Sequence, residues 1–198
     1  MNEENFSPQQ SLQVIQSMIS KTRQNFHDNS KYFLLWGWLA TIAISGQFVL
    51  KVIFHYEKFF QVWFILFIGI ALSNYWMIKD GKKEKVKTYV GESMSNLWLG
   101  MAISFFVLSM LFVKMGWYYC YPFFIMMYGL GTFVSGKILQ FTPFVIGGIL
   151  AWVLSIVSAW FDFDYQMLFA VAALLISYII PAHLLRLHQQ NQKSAYGR

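Results

Sequence analysis

The stretch Lys79–Lys87, KDGKKEKVK, constrains everything on either side of it. It puts five lysines into nine residues between two long apolar segments. The interior of a bilayer cannot hold that much charge, so the stretch lies in water while its neighbours read as spans. Loops rich in Lys and Arg face the cytoplasm, which predicts an inner position for this one. The other spans are then oriented by counting hairpins away from it.

Composition supports the membrane reading. The 198 residues are 57% hydrophobic, 20% aromatic and only 12% charged. Soluble domains carry about 25% charged and about 45–50% apolar residues. A soluble chain this apolar would have more core than it could enclose, and a polytopic bundle in a lipid bilayer resolves the excess. The net charge of +6 raises nucleic acid as a partner. That partner is not expected, because the basic residues fall in gaps between apolar runs rather than along one face. Cys120 is the single cysteine, which leaves no intrachain disulfide. It reads as a small residue at a membrane edge.

Residues 1–31 form a polar leader with no apolar h-region, so a cleavable signal peptide is not expected and the first span should stay as an anchor. Ser7 suits an N-cap, Pro8 the first helical position, and Gln10 completes a capping box. Leu12, Ile15, Ile19, Thr22 and Phe26 then recur at three- and four-residue steps, with Val14 and Met18 widening the stripe. Three placements fit this amphipathic helix. It lies at the cytoplasmic interface. It pairs with a second copy or a cytoplasmic protein through Leu12, Ile15, Ile19 and Phe26. Or it folds back over the inner mouth of the bundle.

Six spans are expected, at about 32–50, 59–78, 95–113, 123–139, 144–160 and 165–185, followed by a polar tail over 186–198. Nineteen helical residues reach about 28 Å, close to the hydrocarbon thickness. The fold class is therefore all-α, an integral membrane bundle of six transmembrane helices preceded by a cytoplasmic amphipathic helix. Trp36 and Trp38 suit a headgroup belt. Gly129, Gly131 and Gly136 permit close helix approach and self-association. Pro143 suits a helix start, and Pro181 should bend the last turns of span six. Charge gives a check on topology. Twelve of the fifteen Lys and Arg fall on the proposed inner side, and only Lys51, Lys58 and Lys114 fall outside. Both termini are therefore expected in the cytoplasm. A weak repeat runs through the hairpins: Leu35-Trp36-Gly37-Trp38-Leu39-Ala40 is similar to Leu97-Trp98-Leu99-Gly100-Met101-Ala102.

The segment GLGTFVSGKILQFTPFVIGG, starting at Gly129, is followed by YIIPAHLL, ending at Leu185. With the leader pattern SLQVIQSMISKTRQNF and the run LLWGW, it resembles a group of small uncharacterised bacterial multi-pass membrane proteins. The resemblance covers most of the chain. It implies six spans in a bacterial inner (cytoplasmic) membrane and brings no activity, cofactor or catalytic residue with it.

There is no HExxH, and the four histidines are His27, His55, His183 and His188. His183 and His188 are a weak metal pair without a nearby carboxylate. Asp162 and Asp164 fall in a loop rather than in spans, so they do not make an intramembrane protease pair. No Gly-rich phosphate loop is present and no Ser–His–Asp arrangement is suggested. No span carries an ionisable residue near its centre, which argues against a proton or sodium relay. No catalytic, cofactor or metal site is expected. Gln47, Asn74, Asn96, Tyr128, Thr132 and Ser177 are the neutral polar residues that could line a cavity or bond helices together. The expected function is a non-enzymatic interaction or regulatory role, with the leader, basic loop and tail as its working surface. The alternative is a small transporter or a ligand- or lipid-binding bundle without ion coupling.

Overall fold

A computed structural model describes residues 30–81 and 89–187. The amphipathic leader with Leu12, Ile15, Ile19 and Phe26, the lysines from Lys82 to Lys87, and the tail with His188 lie outside the described residues. Among the described residues every regular element is helical. Helix α1 is Ser30–Phe48, prolonged by a wide π-helical turn at Val49–Ile53. A 3-10 segment, Phe59–Phe64, leads into α2, Ile65–Gly81. Helix α3 is Tyr89–Met115, α4 is Cys120–Leu139 and α5 is Thr142–Ser158. Helix α6, Phe163–Leu174, passes through a second π-helical turn at Leu175–Ile179 and stays helical to residue 187.

Five helical stretches are long and apolar enough to cross a membrane: Lys31–Ile53, Phe59–Lys79, Gly91–Met115, Cys120–Leu139 and Phe163–Leu187. The remaining helix, α5, is apolar but has only 17 residues. It reaches about 26 Å at the α-helical rise, just under the hydrocarbon thickness of about 30 Å.

The prolines explain where these helices start and where one widens. Pro122 and Pro143 sit in the first turns of α4 and α5, where a missing N–H costs nothing. Pro181 sits inside the last helix, and its ring would press on the carbonyl four residues back. The turn ahead of it is the π-helical one at Leu175–Ile179, which widens the backbone there. Between α4 and α5, Gln140 takes a left-handed conformation at φ 52° and its N–H meets the carbonyls of Gly136 and Lys137. That closes the corner in two residues.

Contacts along each packed pair give the direction of every helix. In α4 and α5, the backbone of Gly136 faces Val145, Gly129 faces Gly148, Trp152 Nε1 donates to Met126 O at 3.1 Å, and Ser155 Oγ donates to Pro122 O at 2.7 Å. Numbers fall on one helix as they rise on the other, so the pair is antiparallel. The same holds for α3 with α4, from Ser135 on Met94 to Phe124 on Phe112. It holds for α1 with α2, from Tyr32 on Trp76 to Gly46 on Val62. It also holds for α1 with α6, from Phe33 on Tyr178 to the ion pair of Lys51 with Asp164. The bundle therefore has two distinct ends. Lys31, Lys79, Lys137 and Arg186 come to one of them. Lys51, Lys58, Lys114, Asp162 and Asp164 come to the other.

Helix α6 touches α1, α4 and α5 and is the centre of the packing. Helix α2 packs on α1 and helix α3 on α4, at the periphery. Only 6% of the α2 span and 11% of the α3 span are buried, against 39–44% for α1, α4 and α6. Gly129, Gly131 and Gly136, expected to permit close helix approach and self-association, face neighbours within the chain's own bundle, Trp152, Trp98 and Val145. Asp164, in the first turn of α6, pairs with Lys51 at the end of α1.

Candidate functional site

The polar residues singled out in the sequence do not gather at one place. Gln47 is buried near the C-terminal end of α1. Its Oε1 accepts hydrogen bonds from Trp63 Nε1 and, at 2.9 Å, from Tyr121 Oη. An indole N–H can only donate, which fixes the amide oxygen toward it. Gln47 therefore ties α1 to the start of the second span and to α4.

Asn74 and Asn96 lie exposed on the outer faces of α2 and α3. The interhelical bond expected at Asn74 is made instead by its neighbour. Ser73 Oγ accepts from Trp36 Nε1 at 3.1 Å, because one residue of helix turns the side chain by about 100° onto the α1 side.

Tyr128, Thr132 and Ser177 lie in the interior, around a cluster of rings. The Tyr178 ring has Phe33 at 5.4 Å, Trp98 at 5.7 Å, Tyr128 at 6.0 Å and Phe144 at 6.5 Å between centroids. Rings from α1, α3, α4 and α5 thus close on one ring from α6. A Cβ at Gly37 would stand 2.8 Å from Tyr178 Cδ1, so this glycine makes the room for that ring. Each well-placed aromatic pair adds about 0.5–1.5 kcal/mol beyond burial. Thr132 Oγ1, Ser177 Oγ and Trp98 Nε1 are buried beside this cluster without a hydrogen-bond partner among the described residues, and so is Gln166 Oε1 toward the outer end. Gln166 is fully buried and its Nε2 donates to Phe161 O at 2.9 Å. Sequence reading passed over Trp63, Trp98, Tyr121, Gln166 and Tyr178. The usable signal was the aromatic residue one step from a polar one, as at Ser177-Tyr178.

Three other hydroxyls bond back to their own helix: Thr41 to Gly37 O, Ser104 to Gly100 O, and Ser109 to Phe105 O, each at 2.8 Å. Such back-bonding is the ordinary fate of Ser and Thr in apolar helices and marks no site.

At the end of the bundle that holds Lys51 and Asp164, Tyr118 Oη donates to Asp162 Oδ1 at 2.7 Å. The bond to the carboxylate holds the Tyr118 phenol above its ordinary pKa. Two grooves open on the surface. One of about 320 Å³ is lined by Lys51, His55, Glu57 and Asp164 among others. The other, of about 340 Å³, starts at Lys31 and runs along α1 between Trp76 and Arg186. Among the described residues no group of three or more His, Cys, Asp or Glu could hold a metal ion. His183 is exposed near the inner end. The chain matches no family model, no curated protein and no solved structure.

Proposed function

We propose that this protein is a six-span bundle of the bacterial inner membrane, with both termini in the cytoplasm, that acts without catalysis in an interaction or regulatory role. The observation that carries the proposal is the filled interior. The ring cluster around Tyr178 draws on five helices, and the buried polar side chains of the described bundle are Thr, Ser and Gln, with no Lys, Arg, His, Asp or Glu among them. Ion-coupled transport relies on ionisable groups inside the spans. The two grooves open at the ends of the bundle, at Lys51 and at Lys31, which suits a closed body better than a conduit.

The six-span count is supported by α5. It starts beside the inner end of α4 and finishes at the outer rim where α6 begins, so it covers the same depth as its neighbours. The orientation is supported by the segregation of Lys31, Lys79, Lys137 and Arg186 at one end. The capping and apolar pattern of the leader is the one sequence feature that insertion does not require, and in this reading the leader, the basic loop and the tail form the working surface.

The test compares the full chain with Ile15→Asp and Ile19→Asp variants, each cross-linked in native membranes and purified. A protein partner captured by the full chain and lost from both variants, with insertion intact, is the expected result. A partner captured equally by all three, or a small solute retained by all three, would contradict it.

A further inference from the structure

We infer that the inner groove along α1 is a binding site for one anionic phospholipid. The groove is built on a single helical stripe. Lys31 stands at its end, and Leu34, Leu35, Trp38, Leu39 and Ile42 continue it at three- and four-residue steps. From Lys31 to Ile42 the stripe runs about 17 Å along the helix, close to the depth of one leaflet, about half of the 30 Å hydrocarbon core. Its polarity is therefore that of an amphiphile, with charge at one end and one leaflet of apolar wall below it.

The charged end has two cations from different helices. Arg186 comes from the last turn of α6 and faces the groove from the other side. It is exposed and has no hydrogen bond or ion pair among the described residues. Lys31 Nζ stands 5.3 Å from the Tyr32 ring centroid and 5.7 Å from that of Trp76. These rings hold the ammonium at the indole level, where headgroups lie. Two cations lining one groove suit a phosphodiester that carries a net negative charge, and they favour it over a zwitterionic headgroup, which brings its own cation. The apolar stripe distinguishes a lipid from a free phosphate, since a soluble anion would use only the upper end.

The site rests on the membrane placement proposed above and not on the regulatory role or on sidedness, because headgroups line both faces. Its test uses the full chain in nanodiscs of equimolar phosphatidylglycerol and phosphatidylcholine, with retained lipid counted by native mass spectrometry. Each cation near a headgroup layer contributes enough to favour the anionic lipid by several-fold, so about a 10–30-fold preference is expected for the pair. The double variant Lys31→Gln/Arg186→Gln should lose it. The double variant Lys79→Gln/Lys137→Gln removes two charges from the same end but outside the groove, and it should keep the preference. Ile42→Ser should weaken retention of lipid while leaving any effect of inorganic phosphate unchanged. Equal retention of the two lipids by the native chain would overturn the site, as would equal loss in both double variants, which indicates diffuse attraction only. Displacement of the lipid by millimolar inorganic phosphate would reduce the site to a phosphate contact. A chain that does not enter nanodiscs at all would overturn the membrane placement and the site together.

Discussion

Gln47 is one acceptor serving two donors. Replacing it with Leu leaves Trp63 Nε1 and Tyr121 Oη without their shared partner in a dry setting. Interhelical hydrogen bonds in membranes measure about 0.6 kcal/mol on average and up to about 1.7. Gln47→Leu should therefore lower stability by about 1–2 kcal/mol in a denaturant titration of the detergent-solubilised protein. Tyr121→Phe should cost less, and the double variant should cost less than the two losses added. Additive losses would mean that Gln47 and Tyr121 are not bonded to each other. At the rim, the bond from Tyr118 to Asp162 favours the neutral phenol. Its contribution is present below the ordinary tyrosine pKa of about 10 and is lost as pH rises through the higher folded value. Asp162→Asn should bring this ionisation down. The readout is tyrosinate absorbance, taken as the difference between versions with and without Tyr118→Phe. Residue type was legible in the sequence at these positions, but partner identity was not. Ser73 and Asn74 are both polar and adjacent, and only the angle at which α1 arrives decides that Ser73 makes the bond.

The same ambiguity governs whole helices. In a soluble protein a polar face tells which side of a helix is outside. Here the lipid-facing and core-facing sides are both apolar, so no stripe separates them. The existence, order and approximate ends of the helices were legible from apolar run length and from Pro143. The neighbours of each face were not. Glycines make the point testable. A Cβ on Gly147 would fall 2.7 Å from Ser177 O and 2.8 Å from Ser177 Cα, both backbone atoms of the widened turn in α6. A Cβ on Gly148 would fall 2.7 Å from Gly129 O. Gly100 has nothing within 4 Å. Gly147→Ala and Gly148→Ala should each force their helices apart and cost about 1–3 kcal/mol. Gly100→Ala should be neutral or stabilising by up to about 1 kcal/mol. Thermal stability in one detergent compares all three, and equal effects would contradict the packing of α5 against α4 and α6. In sequence these glycines look alike, because a close approach is a property of two helices and not of one.

At the scale of the molecule, the antiparallel pairs sort charge into two ends, and this was the most legible property of all. The count of lysines and arginines per loop needs no side-chain contacts, only alternation. The measurement that tests it most directly is cysteine accessibility in spheroplasts of a bacterial host. On a Cys120→Ser background, one cysteine at a time is introduced by Glu57→Cys, Met115→Cys, Lys79→Cys or Leu187→Cys, and each is exposed to a membrane-impermeant maleimide. The expected result is labelling of Glu57→Cys and Met115→Cys in intact spheroplasts, and of Lys79→Cys and Leu187→Cys only after permeabilisation. Labelling of Lys79→Cys or Leu187→Cys without permeabilisation, or the same behaviour at both ends of the bundle, would contradict a bundle that crosses the membrane with its basic end in the cytoplasm.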